Sequence, residues 1–281
     1  MYLVTGSTGN IGNPLVDLLA EQGHRVRALV RNAARANRFP DGVDIAVGDL
    51  GDADSVGKAV RGVEGVFLLF VDPGTNQAEI MIEAARAAGV RKIVLLSSIG
   101  ARLEPKPLIG EGLADREEVL RQSELDVTYL RPNTLMSNTL AWADPIRHTG
   151  RVLDSTGPGR MPCTDPEDIA RVAALVLTQE GHAGHGFILN GPEALTSREQ
   201  VDILADVLGR HIEFQDTTPE QFAKEAIAHG TPPDFANAVQ DLNKMFRTGR
   251  AGVLSDDIEN LTGLPPRTFR DWCQRHADAF R

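Results

Sequence analysis

Cysteine is scarce, with two thiols in 281 residues, and Cys163 and Cys273 form neither a CxxC pair nor a Cys/His metal spacing. They read as free, structural thiols of a reducing cytosol. No apolar run approaches the roughly 18 residues of a membrane-spanning helix. Basic charge is in deficit: 29 Lys and Arg against 39 Asp and Glu leave a net charge of −10. That balance argues against general affinity for nucleic acid and fits ordinary solubility. The seven histidines include no HxxxH or HxH pair, and His182 and His185 fall in a glycine-rich loop, so no metal site is expected. Tyrosine is equally rare, at Tyr2 and Tyr129. No internal repeat or low-complexity segment is present.

What is present begins at residue 2. The apolar stretch Tyr2–Thr5 runs straight into Gly6-x-x-Gly9-x-x-Gly12, and an amphipathic helical pattern follows over 11–22, ended by Gly23. This order brings a backbone against a pyrophosphate at a helix N-terminus. Gly6 permits the turn, Gly9 lets the phosphates approach, and Gly12 lets the helix pack on the strand. Ser7, Thr8, Asn10 and Ile11 would add amides or hydroxyls. With the loop so near residue 1, no signal or transit segment is expected ahead of it, and a cytoplasmic location follows.

Strand and helix signals alternate through the first half, as in a parallel sheet with crossover helices. Strands are expected at 25–31, 44–47, 65–70, 92–98 and 127–131, and helices at 52–60, 76–88 and about 115–123. The second half is less regular, with helices at 165–178, 197–208, 219–229, 234–246 and 266–279 and strands at 186–190 and 212–216. A capping box is expected at Ser197-x-x-Gln200. The fold class is therefore α/β: a Rossmann-type doubly wound parallel sheet with a smaller, interleaved α/β C-terminal lobe. Residues 1–150 form mainly the dinucleotide-binding domain and 151–281 mainly the substrate lobe. Ligands in such sheets lie beyond the carboxyl ends of the strands. Here those ends are 5–12, Arg31, Asp49, 70–73, 97–100 and 132–138, which places Phe70, Ser97 and Pro132 beside the cofactor.

Arg31 ends the second strand, where an acidic residue would take the ribose 2′-hydroxyl of NAD; an arginine there suits the 2′-phosphate of NADP(H). A solvated surface arginine is the plain alternative, and Arg35 or Arg38 could assist. Ser97, Ser98 and Asn133 are the candidate oxyanion or proton-path residues, although the serines serve equally well to satisfy backbone at a strand end. Leu135, Met136, Asn138, Trp142 and Phe70 suit an apolar substrate pocket or simply the core. Helix 234–246 reads as a lid or packing helix, with Phe235 and Met245 as apolar contacts. Lys106, in a Pro-Lys-Pro turn, reads as a solvated loop residue.

The glycine spacing, Leu29-Val-Arg31, Gly48-Asp49-Leu50, Lys92-Ile-Val-Leu-Leu-Ser-Ser98, Thr128-Tyr-Leu-Arg-Pro-Asn133 and Phe187-Ile-Leu-Asn-Gly-Pro-Glu-Ala-Leu-Thr196 together resemble the NmrA-like branch of atypical short-chain dehydrogenases/reductases. The resemblance covers nearly the whole chain. It implies that Asp49 and Leu50 contact the adenine, though Asp49 can also be read as the N-cap of the next helix. It further implies an NADPH-dependent quinone, ketone or imine reductase, or a redox-sensing regulator without turnover. An epimerase is a weaker third reading, because that chemistry needs an acid/base pair.

One departure from the family pattern stands out. Four residues after Tyr2 and Tyr129 come Gly6 and Asn133, so neither tyrosine makes the Tyr-x-x-x-Lys acid of typical members, and the 98–118 stretch offers only Lys106. General acid catalysis contributes about 10²–10⁴-fold, so a preactivated acceptor can dispense with it. The chain resembles aromatic polyketide (angucyclinone-type) ketoreductases that lack both residues. The expected ligands are NADP(H) and an aromatic ketone or quinone; monomer and dimer stay open.

Overall fold

The computed structural model describes residues 1–70 and 74–281. The first half alternates as β1 (Tyr2–Val4), α1 (Gly12–Glu21), β2 (Val26–Val30), β3 (Asp44–Val47), α2 (Ala53–Ala59), β4 (Gly65–Leu68), α3 (Asn76–Ala88), β5 (Lys92–Leu96), α4 (Leu108–Arg121) and β6 (Asp126–Pro132). After it come α5 (Ala143–Thr149), β7 (Arg151–Asp154), α6 (Pro166–Thr178), β8 (Gly186–Leu189), α7 (Ser197–Leu208), β9 (Glu213–Asp216), α8 (Pro219–Ala228), α9 (Pro233–Arg247), α10 (Asp257–Thr262) and α11 (Phe269–His276). Seven strands form one sheet in the order β3-β2-β1-β4-β5-β6-β8, parallel throughout. The order reverses between β1 and β4, which opens the ligand crevice over their carboxyl ends. The architecture is a doubly wound Rossmann-type α/β fold.

Central strands buried on both faces need nearly unbroken apolar sequence, and β4, Gly-Val-Phe-Leu, is buried at every residue. One apolar cluster joins α1 and α6 on one face, through Leu15, Leu19 and Val172, and a second joins α2 and α3 on the other, through Val56 and Met81. A third lies apart from the sheet and gathers Val201, Phe246, Phe269, Trp272 and Phe280. The halves interleave: β8 hydrogen-bonds to β6, while β7 and β9 pair with each other in a small second sheet. Asp168, 1% exposed, holds Arg267 and Arg171, so α6 of the main body is tied to the tail that leads into α11.

Several boundaries differ from the expectation. Helix α4 starts at Leu108 rather than near residue 115, because Gly110 and Gly112 weaken the local helix signal. Packing explains one of them: a Cβ on Gly110 would lie 2.3 Å from the Gly100 carbonyl oxygen. The capping box is Thr196 with Glu199, one residue upstream of Ser197 and Gln200. Ser197 is already inside the helix, and its hydroxyl meets that of Thr156 at 2.8 Å. Helix α5 and strand β7 had no clear periodicity and were not expected.

A Cβ on Gly12 would stand 2.3 Å from the Gly6 carbonyl oxygen, with backbone on both sides of the contact. Gly12→Ala should therefore cost roughly 1–3 kcal/mol as overpacking. Calorimetry should show the melting temperature lowered by at least about 2–4 °C, the effect of 1 kcal/mol in a chain of this size. An unchanged melting temperature would contradict the close packing.

Candidate functional site

The site is built from the glycine loop outward. Gly6 takes φ +59°, a left-handed turn that disfavours a side chain, and the Gly9 amide donates back to its carbonyl at 2.9 Å. A Cβ on Gly9 would stand 3.2 Å from that same oxygen, a tight contact within the turn, and Gly9 itself is exposed. Ser7 is fully buried, and its hydroxyl donates to the Leu29 carbonyl at 2.8 Å. Its hydroxyl therefore anchors the loop to β2 and is not free for a phosphate. Asn10 is exposed, Ile11 and Gly12 are buried, and the Thr8 carbonyl accepts from Arg38 Nη1 at 2.8 Å. The loop has the shape and backbone donors that a dinucleotide pyrophosphate requires.

Arg31 follows β2, exposed, with no hydrogen bond or ion pair to any described residue. Asp49 lies beyond β3, its carboxylate accepting from the Gly51 amide at 2.8 Å. It is not the N-cap of α2, since Asp52 takes that place and accepts from the Asp54 amide at 3.1 Å. Leu50 is buried, and Phe70 is half-buried with the Arg116 guanidinium 5.6 Å from its ring centre. Val71, Asp72 and Pro73, also expected at a strand end, lie outside the described residues.

Next to the loop, at the ends of β5 and β6, is a cleft of about 240 Å³. Ser97, Ser98, Pro132, Asn133 and Ile11 form its floor, and Leu135 and Asn138 lie at its side. Helix α4 contributes Ile109, Gly110 and Leu113, and α9 contributes Leu242, Met245 and Phe246. The walls are joined where the Leu108 amide donates to Asp241 at 2.8 Å. Among the described residues, no side chain lining the cleft is titratable.

The polar groups of the floor are held very differently. Asn133 donates to the Ala251 carbonyl at 2.7 Å and accepts from the Thr134 amide, which fixes the amide and leaves one N–H. Ser98 is loosely held, 3.4 Å from the Pro132 carbonyl, while accepting from the Gly100 amide. Ser97 donates to Glu117 Oε1 at 2.6 Å, and Glu117 is gripped by Arg131 through bonds of 2.8 and 2.7 Å. Both tyrosines lie elsewhere. Tyr2 opens β1 at the far end of the sheet, packed edge-on to His24. Tyr129 lies beneath Arg131 and lines a charged groove with Glu117; burial pushes its hydroxyl up to about 12, and the Glu117 charge adds to the rise.

Not every expected residue reaches the cleft. Met136, 1% exposed, and the half-buried Trp142 pack on the third cluster and are not among the residues that line this cleft. Phe235 is 60% exposed on α9 and does not line the cleft, whereas Met245 does. Leu242, Met245 and Phe246 stand at i, i+3 and i+4, and Ile109 and Leu113 at i and i+4, so helical periodicity held the signal for both walls. Glu117 had no such signal, because it meets Ser97 and Arg131 only through the tertiary fold.

The strand order, the glycine turn and the cleft at the sheet's carboxyl edge define a dinucleotide-dependent protein. Residues 6–180 match the family model described as NAD(P)H-binding, and the chain belongs to that family. It is similar over its full length to the (4-alkanoyl-5-oxo-2,5-dihydrofuran-3-yl)methyl phosphate reductase of Streptomyces griseus subsp. griseus, at 39% identity covering 99% of that protein. It is also similar to the NAD(P)H azoreductase of Xenophilus azovorans, at 33% identity over 100% of this chain and 99% of that one. The crystal structure of the NADPH-dependent quinone oxidoreductase QOR2 of Escherichia coli, complexed with NADPH, superposes with a TM-score of 0.87 at 26% identity, covering 98% of this chain and 99% of that one. The chain is thus an NAD(P)H-dependent oxidoreductase of the atypical short-chain type.

Removing one partner of a buried ion pair leaves a desolvated charge behind. Glu117→Ala should cost about 3–5 kcal/mol by stranding Arg131. Urea denaturation should show it as a lowered midpoint; a loss below about 1 kcal/mol, the worth of an exposed pair, would contradict this burial.

Proposed function

We propose that the protein transfers hydride from NADPH to an electron-poor carbonyl acceptor, an aromatic ketone or quinone, without a tyrosine/lysine general acid. The observation that carries this reading is the cleft itself: apolar on both walls and, among the described residues, polar only through serine, threonine and asparagine, with no titratable side chain. Such a surface binds a flat, conjugated ligand and orients it, but holds no acid to protonate it. The nicotinamide, when bound, supplies the hydride. One hydride and one proton then convert a quinone to its hydroquinone, the negative charge spreading over the conjugated product until water supplies the proton.

Ser98 and the remaining N–H of Asn133 are the donors proposed to meet that charge. Gly6, Ser7, Thr8, Gly9, Asn10, Ile11, Gly12, Asp49, Leu50, Phe70, Ser97 and Pro132 are proposed to contact the cofactor, with Ser7 acting through its backbone. Asn138 is proposed to meet the substrate at the cleft mouth. Arg31, exposed and unpaired among the described residues, is proposed to take the 2′-phosphate. The names of the relatives support an acceptor of this type, since quinones, azo groups and acyl-dihydrofuranones are all conjugated and electron-poor. A redox sensor without turnover would have no use for the apolar cleft.

Purified protein should oxidise NADPH with 1,4-naphthoquinone or a hydroxyaryl ketone, and the rate at saturation should stay flat between about pH 6 and 9, because none of the described cleft side chains is titratable. Failure with every acceptor of a quinone and ketone panel would overturn the reductase reading in favour of sensing. Arg31→Ala should weaken NADPH roughly 10- to 100-fold, the worth of a hydrogen bond to a charged group. NADH affinity should change little; equal losses by calorimetric titration would remove the 2′-phosphate role.

A further inference from the structure

We infer that Ser97 faces the cleft as a hydrogen-bond acceptor, held in that polarity by Glu117 and Arg131, and receives an N–H or O–H donated by the bound ligand. Two ligands carry such a donor, the carboxamide of the nicotinamide and a hydroxyl on the substrate. The inference deepens the proposed reading, because it concerns the floor of the same cleft.

A serine hydroxyl has one proton and two lone pairs, whereas an ionised carboxylate only accepts. Ser97 Oγ lies 2.6 Å from Glu117 Oε1, so its single proton points away from the cleft, into the body of the protein. The arrangement is locked from behind. Arg131 Nε reaches the same Oε1 at 2.8 Å and Nη2 reaches Oε2 at 2.7 Å, which occupies both carboxylate oxygens in a two-pronged grip. Arg131 in turn lies over the Tyr129 ring at 5.2 Å and runs so close to β8 that a Cβ on Gly186 would fall 1.8 Å from Nη1. Ser97 and Glu117 are 6% and 7% exposed, so water does not compete readily for these bonds. Turning the Ser97 proton toward a ligand would give up one of the two hydrogen bonds that the buried Glu117 Oε1 accepts and leave it with Arg131 Nε alone, an exchange that costs free energy.

Ser97 lines the cleft, whereas Glu117 and Arg131 line the charged groove on its far side. Ser97 therefore offers lone pairs to the cleft and cannot readily support a developing oxyanion. Its neighbour Ser98, with a long 3.4 Å bond, keeps a proton that it can redirect. Two adjacent serines thus divide the work, one accepting and one donating, and Glu117 is the positioning residue that enforces the division.

The test uses dissociation constants for the full chain, so it does not depend on turnover. NADPH is compared with its reduced 3-acetylpyridine analogue, which lacks the carboxamide N–H. In the complex with NADP⁺, 6-hydroxy-1,4-naphthoquinone, whose hydroxyl makes no internal hydrogen bond, is compared with 1,4-naphthoquinone. Ser97→Ala should weaken one N–H or O–H ligand about 3- to 15-fold, the worth of a single hydrogen bond, and leave its matched analogue within about twofold. Selective loss with NADPH identifies the cofactor as the donor, and selective loss with the hydroxyquinone identifies the substrate. Glu117→Gln, whose amide can donate to Ser97 instead of accepting, should reproduce that selectivity, and Ser97→Thr should restore binding if Glu117→Gln does not fold. Equal losses within both pairs, or no change in any ligand, would overturn the inference. Absent turnover with intact selectivity would count against the proposed reaction and leave this assignment standing.

Discussion

The packing of helix α1 against the turn that ends β1 is the constraint from which the rest of the site follows. The carbonyl of Gly6 stands where a side chain at residue 12 would have to be. That contact sets the helix directly over the strand end, with the loop's backbone donors exposed in front of it. Ser7 fastens the loop sideways to β2, and Thr5 fastens it to the strand on the other side by accepting from the Leu69 amide at 2.8 Å. The loop is a fixed cradle, and the positions of β5 and β6 beside it decide where a hydride acceptor can lie.

What lies there is an apolar cleft between two helices from different halves of the chain. Its polar floor differs from that of a conventional short-chain reductase, in which a tyrosine and lysine supply the proton. Here both tyrosines are built into other tasks, Tyr2 against His24 and Tyr129 under Arg131. Glu117 and Arg131 pair with each other behind the floor, and Glu117 reaches the cleft through its bond to Ser97. The proposed chemistry follows from this distribution: geometry and hydride transfer are the protein's business, and protonation belongs to the solvent.

Much of the scaffold was legible in the sequence, because buried parallel strands and the glycine turn leave strong local signatures. Strand β4 reads from its apolar run alone, and the loop from the spacing of Gly6, Gly9 and Gly12. The start of α4 was hidden because Gly110 answers to a tertiary contact with Gly100 and not to helix propensity. Strand β7 depends on its pairing with β9, 62 residues further on by the register Arg151 to Glu213. Met136 and Trp142 suited a pocket by residue type, but type alone does not tell a pocket from a core. The two serines looked equivalent, and only the arrival of Glu117 from α4 separates them.

In the proposed reaction, hydride transfer proceeds with no proton delivered by the protein. Single-turnover reduction of 1,4-naphthoquinone, followed with NADPH deuterated at the transferred position and separately in D₂O, tests it most directly. A normal primary isotope effect from the cofactor and a solvent isotope effect near unity on the same step are expected. A clear solvent effect expressed together with the primary one would show that a proton moves with the hydride, and would contradict it.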